Sequence, residues 1–186
     1  MTSLAEPDLG PSRPGATPGV AAHPVSRLRF AVAVTALATG GFAIGTTEFV
    51  TMGLLPQIAE GVDVTIPQAG HLISAYALGV VVGAPALAAL GARLPRRGLL
   101  VGLIASFGLL NLLSASMSHY GLLAFVRFLD GLPHGAYFGV AALTAASMVA
   151  PERRGRALAL VMMGIPVANV LGVPAATLLG QQLGWR

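Results

Sequence analysis

From residue 28 onward the chain alternates between long apolar runs and short polar interruptions. The apolar runs cover 28–55, 68–90, 99–117, 120–149 and 157–183. A helix rises 1.5 Å per residue, so about 20 apolar residues cross the hydrocarbon of a bilayer. The pattern therefore predicts an all-α fold, a polytopic membrane helical bundle of five transmembrane helices. The interruptions are short. Pro56 opens a connection carrying Glu60 and Asp63, 91–98 forms a tight basic turn, Ser118 and His119 separate the third and fourth runs, and 151–156 precedes the fifth. Residues 1–27 lack any apolar period and are dominated by proline, glycine, alanine and serine. They read as a disordered tail, too acidic and proline-rich for a signal peptide.

Composition agrees with the pattern. The chain is 55% hydrophobic and 10% charged, with mean hydropathy +0.78, which leaves too little polar surface to cover a water-soluble globule. The pI near 10.7 invites a nucleic-acid reading. However, every basic residue is an arginine, and the arginines fall in clusters between apolar runs rather than along one stripe, so nucleic acid is not an expected partner. With no cysteine there are no disulfides or thiolate metal sites, and no metal or cofactor is expected. The arginines also orient the helices. Arg13, Arg27 and Arg29 precede the first run, Arg93, Arg96 and Arg97 lie between the second and third, and Arg153, Arg154 and Arg156 lie between the fourth and fifth. The other two connections have none, which places the N-terminus in the cytoplasm of a cell-membrane protein.

Candidate chemistry concentrates in the fourth run, Arg127-Phe-Leu-Asp130-Gly131-Leu-Pro-His134-Gly135-Ala-Tyr-Phe138-Gly139. An arginine at bilayer depth costs roughly 2.5 kcal/mol or more, so it is expected to face a partner or a wet cavity. Gly131, Gly135 and Gly139 are spaced four apart and predict a stripe where another helix approaches closely. Glu48 is the acid of the first run. It and Arg127 each lie about seven residues, roughly 10 Å, below the same surface. Matched depth permits an intramembrane ion pair. A nearby cation favours the ionised carboxylate and desolvation the neutral acid, so a Glu48 that alternates between those settings can take up and release a proton. The alternative is a static pair that pins two helices. Asp130 either satisfies Arg127 locally or is a second proton site. His134, on the same face, is a packing residue or a proton relay, and His134, Phe138 and Asn169 are candidate cavity-lining residues. The fifth run holds Gly164, Pro166, Gly172 and Pro174, a combination expected to make a kinked, hinge-like helix. No metalloprotease, nucleophile-elbow or phosphate-loop motif occurs, so the chain does not read as an enzyme.

These residues together resemble a family. Arg127-xxx-Gly131-xxx-Gly135 is similar to the fourth-helix motif of major facilitator superfamily drug and sugar antiporters. Gly91 through Gly98 resembles that family's loop signature, Gly172-x-Pro174 its fifth-helix antiporter motif, and Gly45-Thr-Thr-Glu48-Phe its first-helix acidic motif. The likeness runs from residue 28 to 186 and is to arabinose-efflux-like and chloramphenicol-efflux-like permeases. It implies a proton-coupled, twelve-helix exporter of a drug or sugar, of which this chain would be a fragment, the first five helices, lacking a C-terminal half. It further implies that Glu48 and Arg127 sit at proton-coupling positions and that Gly164, Gly172 and Pro174 form the antiporter hinge. Pro95 stands where the loop signature has an aspartate, and Leu99 and Leu100 where it has basic residues, so Gly91, Arg96 and Gly98 are the remnants of that motif. Alanines 175 and 176 replace glycines of the fifth-helix motif. A non-transporting membrane scaffold and an uptake permease are the alternative readings.

The five-helix topology is directly testable. Single cysteines replacing Ser118 and Ala92 should be labelled by a membrane-impermeant maleimide from opposite sides, Ser118 from outside. Labelling of both from one side would remove the five-span reading.

Overall fold

The structure, a computed structural model, describes residues 26–186; the tail expected to be disordered lies outside the described residues except for its last two positions. Among the described residues all regular structure is helical. Helix α1 spans Arg27–Gly53, α2 Leu55–Gly61, α3 Ile66–Gly91, α4 Arg96–Ala115 and α5 Tyr120–Ser147. The last passage, Pro151–Leu183, is a chain of pieces: a 3-10 turn, α6 (Arg154–Met162), α7 (Gly164–Val167), a π-helical turn over Ala168–Gly172, and α8 (Val173–Leu183).

Local chemistry sets these boundaries and moves several from where hydropathy alone puts them. Helix α1 begins when the Ser26 side chain accepts from the Arg29 amide at 3.3 Å. Helix α3 begins two residues before the apolar run because Thr65 and Gln68 form a reciprocal capping box, Thr65 N–H donating to Gln68 Oε1 at 2.9 Å. Helix α4 starts at Arg96, so two arginines occupy its first turn. The connection after Pro56 is not a plain loop: Pro56 sits at the start of α2, where its missing N–H costs nothing.

The fifth passage is not one regular helix. Pro174 offers no N–H to the carbonyl one turn back, and the backbone answers with the π turn immediately before it.

Four passages (Arg27–Gly53, Ile66–Gly91, Arg96–Ala115 and Pro151–Leu183) are long and apolar enough to cross a membrane by length and composition. Helix α5 matches them in length, with 28 residues, but carries the charges, and it is the most enclosed of the five. The surface is inverted relative to a water-soluble protein: Leu109 is 68% exposed while Arg127 is 6% exposed. An apolar exterior around a polar interior is what a bilayer solvates.

Helix α5 is the hub. It packs on α3 along one side and on α4 along another, and it touches α1 and α6 as well. Glycines make the α3–α5 contact possible. A Cβ at Gly79 would strike the Phe128 carbonyl, one at Gly83 would strike Leu132, and one at Gly131 would strike the backbone of Tyr76 to Val80. Gly135 lies against Val80 and Ala84. The stripe ends there, because nothing lies within 4 Å of a Cβ at Gly139, contrary to the expected three-glycine contact.

Two core clusters stabilise the ends. One contains Ile44, Tyr76, Phe107, Tyr137 and Val161; the other contains Leu54, Ile58, Leu72 and Leu123 with Trp185 packed against it. Arg186 closes the second end, donating to the carbonyls of Gly61 (3.1 Å) and Met117 (3.3 Å). The arginines of the first helix start and of the two basic connections gather at the opposite end.

The glycine contact predicts unequal effects of equal substitutions. Gly131→Ala should destabilise the bundle by about 1–3 kcal/mol, since a methyl would meet immovable backbone. Gly139→Ala should be neutral or stabilising by about 0.5–1 kcal/mol through its helix propensity. Thermal unfolding midpoints in detergent check this, and equal midpoints would contradict the packing.

Candidate functional site

The site is a polar cluster buried where α1, α3, α4 and α5 meet. Helix α5 contributes Arg127, Asp130 and His134, at spacings of three and seven that put all three on one helical face. Arg127 is paired with Asp130, Nη1 to Oδ2 at 3.5 Å, an intrahelical i,i+3 contact. Its other terminal nitrogen, Nη2, donates to Thr51 Oγ1 of α1 at 3.3 Å, and Thr51 in turn donates to the Thr47 carbonyl at 3.2 Å. The guanidinium lies over the Tyr76 ring of α3, 4.5 Å from its centroid, in cation–π geometry. Asp130 Oδ2 also accepts from Ser114 Oγ of α4 at 2.9 Å. Thus one arginine–aspartate pair collects a contact from each of α1, α3 and α4. Arg127 Nε and Asp130 Oδ1 have no hydrogen-bond partner among the described residues, so the pair keeps unused capacity.

Glu48 and Arg127 lie in the same cluster, yet among the described residues the ion pair of Arg127 is with Asp130 and not with Glu48. Glu48 instead faces His134, with Oε2 3.9 Å from Nδ1. The same Nδ1 lies 2.8 Å from the Tyr76 hydroxyl. One ring nitrogen cannot serve both neighbours in the same way. When His134 carries its proton on Nε2, Nδ1 accepts from Tyr76 O–H. When Nδ1 is protonated it becomes a donor, able to turn to the phenol oxygen or to the Glu48 carboxylate. Glu48 is also the more accessible acid: its side chain is 26% exposed, whereas that of Asp130 is fully buried.

The remaining sequence candidates fall around this cluster. Phe138 is half-buried, with its ring edge-on to His134 at a 5.3 Å centroid distance and to Tyr137 at 5.7 Å. Gly41 leaves the space on α1 for the Phe138 ring. Asn169 is exposed within the π turn, away from the cluster's hydrogen bonds. Gly164 is pressed against the α1 backbone at Ala38 to Phe42, Gly172 against Thr46 and Phe42 of α1, and Pro174 is exposed just beyond. At the basic end, Gly91 accommodates Leu99, Gly98 lies against Pro95, and Arg96 is exposed.

Sequence reasoning missed Thr51, Tyr76 and Ser114. Thr51 follows Glu48 by three residues and so shares its helical face, a signal available in the sequence. Tyr76 and Ser114 give no such signal, since a lone hydroxyl in an apolar helix is commonplace.

The model of the Major Facilitator Superfamily matches residues 37–186. The chain is 54% identical over 151 residues to the inner membrane transport protein YdhP of Escherichia coli (strain K12), covering 81% of this chain and 39% of that protein. It is 41% identical over 154 residues to the MFS-type transporter YtbD of Bacillus subtilis (strain 168), covering 83% and 39%. It is 43% identical over 150 residues to a chloramphenicol resistance protein of Streptomyces lividans, covering 81% and 38%. The chain thus spans about two fifths of the length of these curated relatives.

The geometry predicts how the cluster's stability is shared. Ser114→Ala should cost about 1–3 kcal/mol, because it deprives a fully buried carboxylate of a hydrogen bond. Ser116→Ala, at an exposed serine that bonds only its own helix, should change stability by less than about 0.5 kcal/mol. Comparing the two unfolding midpoints in detergent is the check, and equal shifts would mean that Ser114 does not support Asp130.

Proposed function

The chain belongs to the major facilitator superfamily of transporters, and on that premise we propose that it forms the N-terminal helices of a proton-coupled exporter of a small molecule. The drug class enters through the resemblance to a chloramphenicol resistance protein, and sugars remain within the same reading. In the whole protein the bundle would rock against a second half to expose a midplane site to either side in turn. The arginine-rich end faces the cytoplasm in this reading, following the positive-inside bias.

The observation that carries the proposal is the unequal treatment of the cluster's two acids. Asp130 is sealed from solvent and fixed by Arg127 and Ser114, so it serves as a structural counter-ion. Glu48 is partly exposed and is held only by a long contact to His134, so it can exchange a proton with water. A coupling acid needs both access to water and a protein environment that changes between states. Glu48 has the access. The changing environment would come from movement of α1 relative to α5, which alters how near Glu48 lies to His134 and to Arg127. Arg127 then acts on Glu48 through the cluster, not as its direct partner.

The experiment uses the full-length transporter in proteoliposomes with an imposed pH gradient. Glu48→Gln should reduce gradient-driven transport to background while the protein still inserts and binds substrate. Arg127→Ala should be as damaging, and the double replacement no worse than either alone, because members of one unit are not additive. Normal transport by Glu48→Gln together with loss in Asp130→Asn would transfer the coupling role to Asp130. Transport that ignores the proton gradient in the unmodified protein would remove the coupling altogether.

A further inference from the structure

A second polar feature lies at the opposite end of the molecule from the Arg186 contacts, outside the Glu48–Arg127 cluster. A cavity of about 910 Å³ opens between the start of α1, the end of α5 and the start of the last passage. Four arginines line it: Arg27 from α1, and Arg153, Arg154 and Arg156 from the last passage. Glu152 is the one acid in the lining, and among the described residues none of these arginines forms an ion pair. Four like charges around one cavity repel each other in the absence of an anion. An arginine guanidinium also offers a planar fork that matches two phosphate oxygens. The lining is amphipathic as well. Phe30 and Leu160 form part of the wall, and Leu160 is 37% exposed, so apolar surface adjoins the cationic rim.

From this combination we propose that the cavity binds the headgroup phosphate of an anionic phospholipid, with the arginines on the phosphate and the acyl chains running down past Leu160. A soluble phosphate would use the cationic rim but gain nothing from the apolar wall beside it. Basic pockets between transmembrane helices are suited to anionic headgroups on general electrostatic grounds. The site is independent of the direction of transport and of the role of Glu48.

The test is native mass spectrometry of the full-length protein in maltoside micelles doped with phosphatidylglycerol or with phosphatidylcholine at equal concentration. Phosphatidylglycerol should be retained about tenfold more than phosphatidylcholine. Arg153→Ala with Arg156→Ala should bring it down to the phosphatidylcholine level. Arg27→Gln, on a different helix, should also lower retention by at least about threefold. Arg93→Ala with Arg97→Ala removes the same charge from the other basic connection and should leave retention unchanged. Equal loss in both double variants would reduce the effect to general surface charge and overturn the site. Absence of headgroup preference in the unmodified protein would also overturn it. Displacement of the lipid by millimolar inorganic phosphate would reassign the site to a soluble anion. Retention that appears only after removal of residues 1–25, which carry Glu6 and Asp8, would make that acidic segment the occupant instead. Unchanged thermal midpoints in the arginine variants separate loss of binding from loss of fold.

Discussion

A guanidinium placed at bilayer depth must be answered by polar partners, and the arrangement of helices around α5 is organised to supply them. Arg127 takes one partner from its own helix (Asp130), one from α1 (Thr51) and one ring face from α3 (Tyr76), while α4 reaches the pair through Ser114. Each charged hydrogen bond contributes about 1.5–3 kcal/mol, the order needed to offset the insertion cost of the arginine. The glycines serve the same end. Without the bare backbones of Gly79, Gly83 and Gly131, α3 and α5 could not approach closely enough for the Tyr76 ring to lie under the guanidinium. Packing and electrostatics at this interface are therefore one constraint. The small residues permit the approach, and the charge makes it worthwhile.

What could be read from the sequence, and what could not, follows from the kind of information each feature carries. Long apolar runs separated by short polar connections make the number of passages legible, because a bilayer imposes length and the backbone must satisfy itself. Residue number along a helix also fixes depth, which is why Glu48 and Arg127 were legible as members of one layer. Depth is only the axial coordinate. Pairing needs the rotation of each helix about its axis, and that depends on side chains with no sequence signature, such as the Ser114 hydroxyl. Consequently the cluster was legible, and so was the i,i+3 contact of Arg127 with Asp130 as one of two alternatives, while the wiring between helices was not: Glu48 faces His134 and not Arg127. Gly139 teaches the same lesson. Its spacing repeats that of Gly131 and Gly135, but nothing lies within 4 Å of a Cβ there. The capping box at Thr65 and Gln68, by contrast, has a local sequence signature, and it starts α3 ahead of the apolar run.

Helix α1 occupies the position on which any coupling between the charged cluster and the rest of the bundle has to act. One of its faces carries Glu48 and Thr51 toward His134 and Arg127 on α5. Another carries Gly41, Gly45 and Thr46 toward the broken last passage, where Gly164, Ala168 and Gly172 are packed against it. That last passage contains the π turn and Pro174, the segment of the bundle whose backbone hydrogen bonding is least regular. A helix that is tightly seated against an irregular neighbour moves with it, since close backbone contacts tolerate little sliding. In the proposed cycle, bending at the π turn would therefore shift α1 as a body. The long Glu48–His134 contact would be the first to lengthen or close, while the sealed Arg127–Asp130 pair stayed intact. The buried pair holds α5 to α3 and α4 and, through Thr51, to α1 as well, so on the α1–α5 seam it is the longer Glu48–His134 contact that the proposed movement would change most.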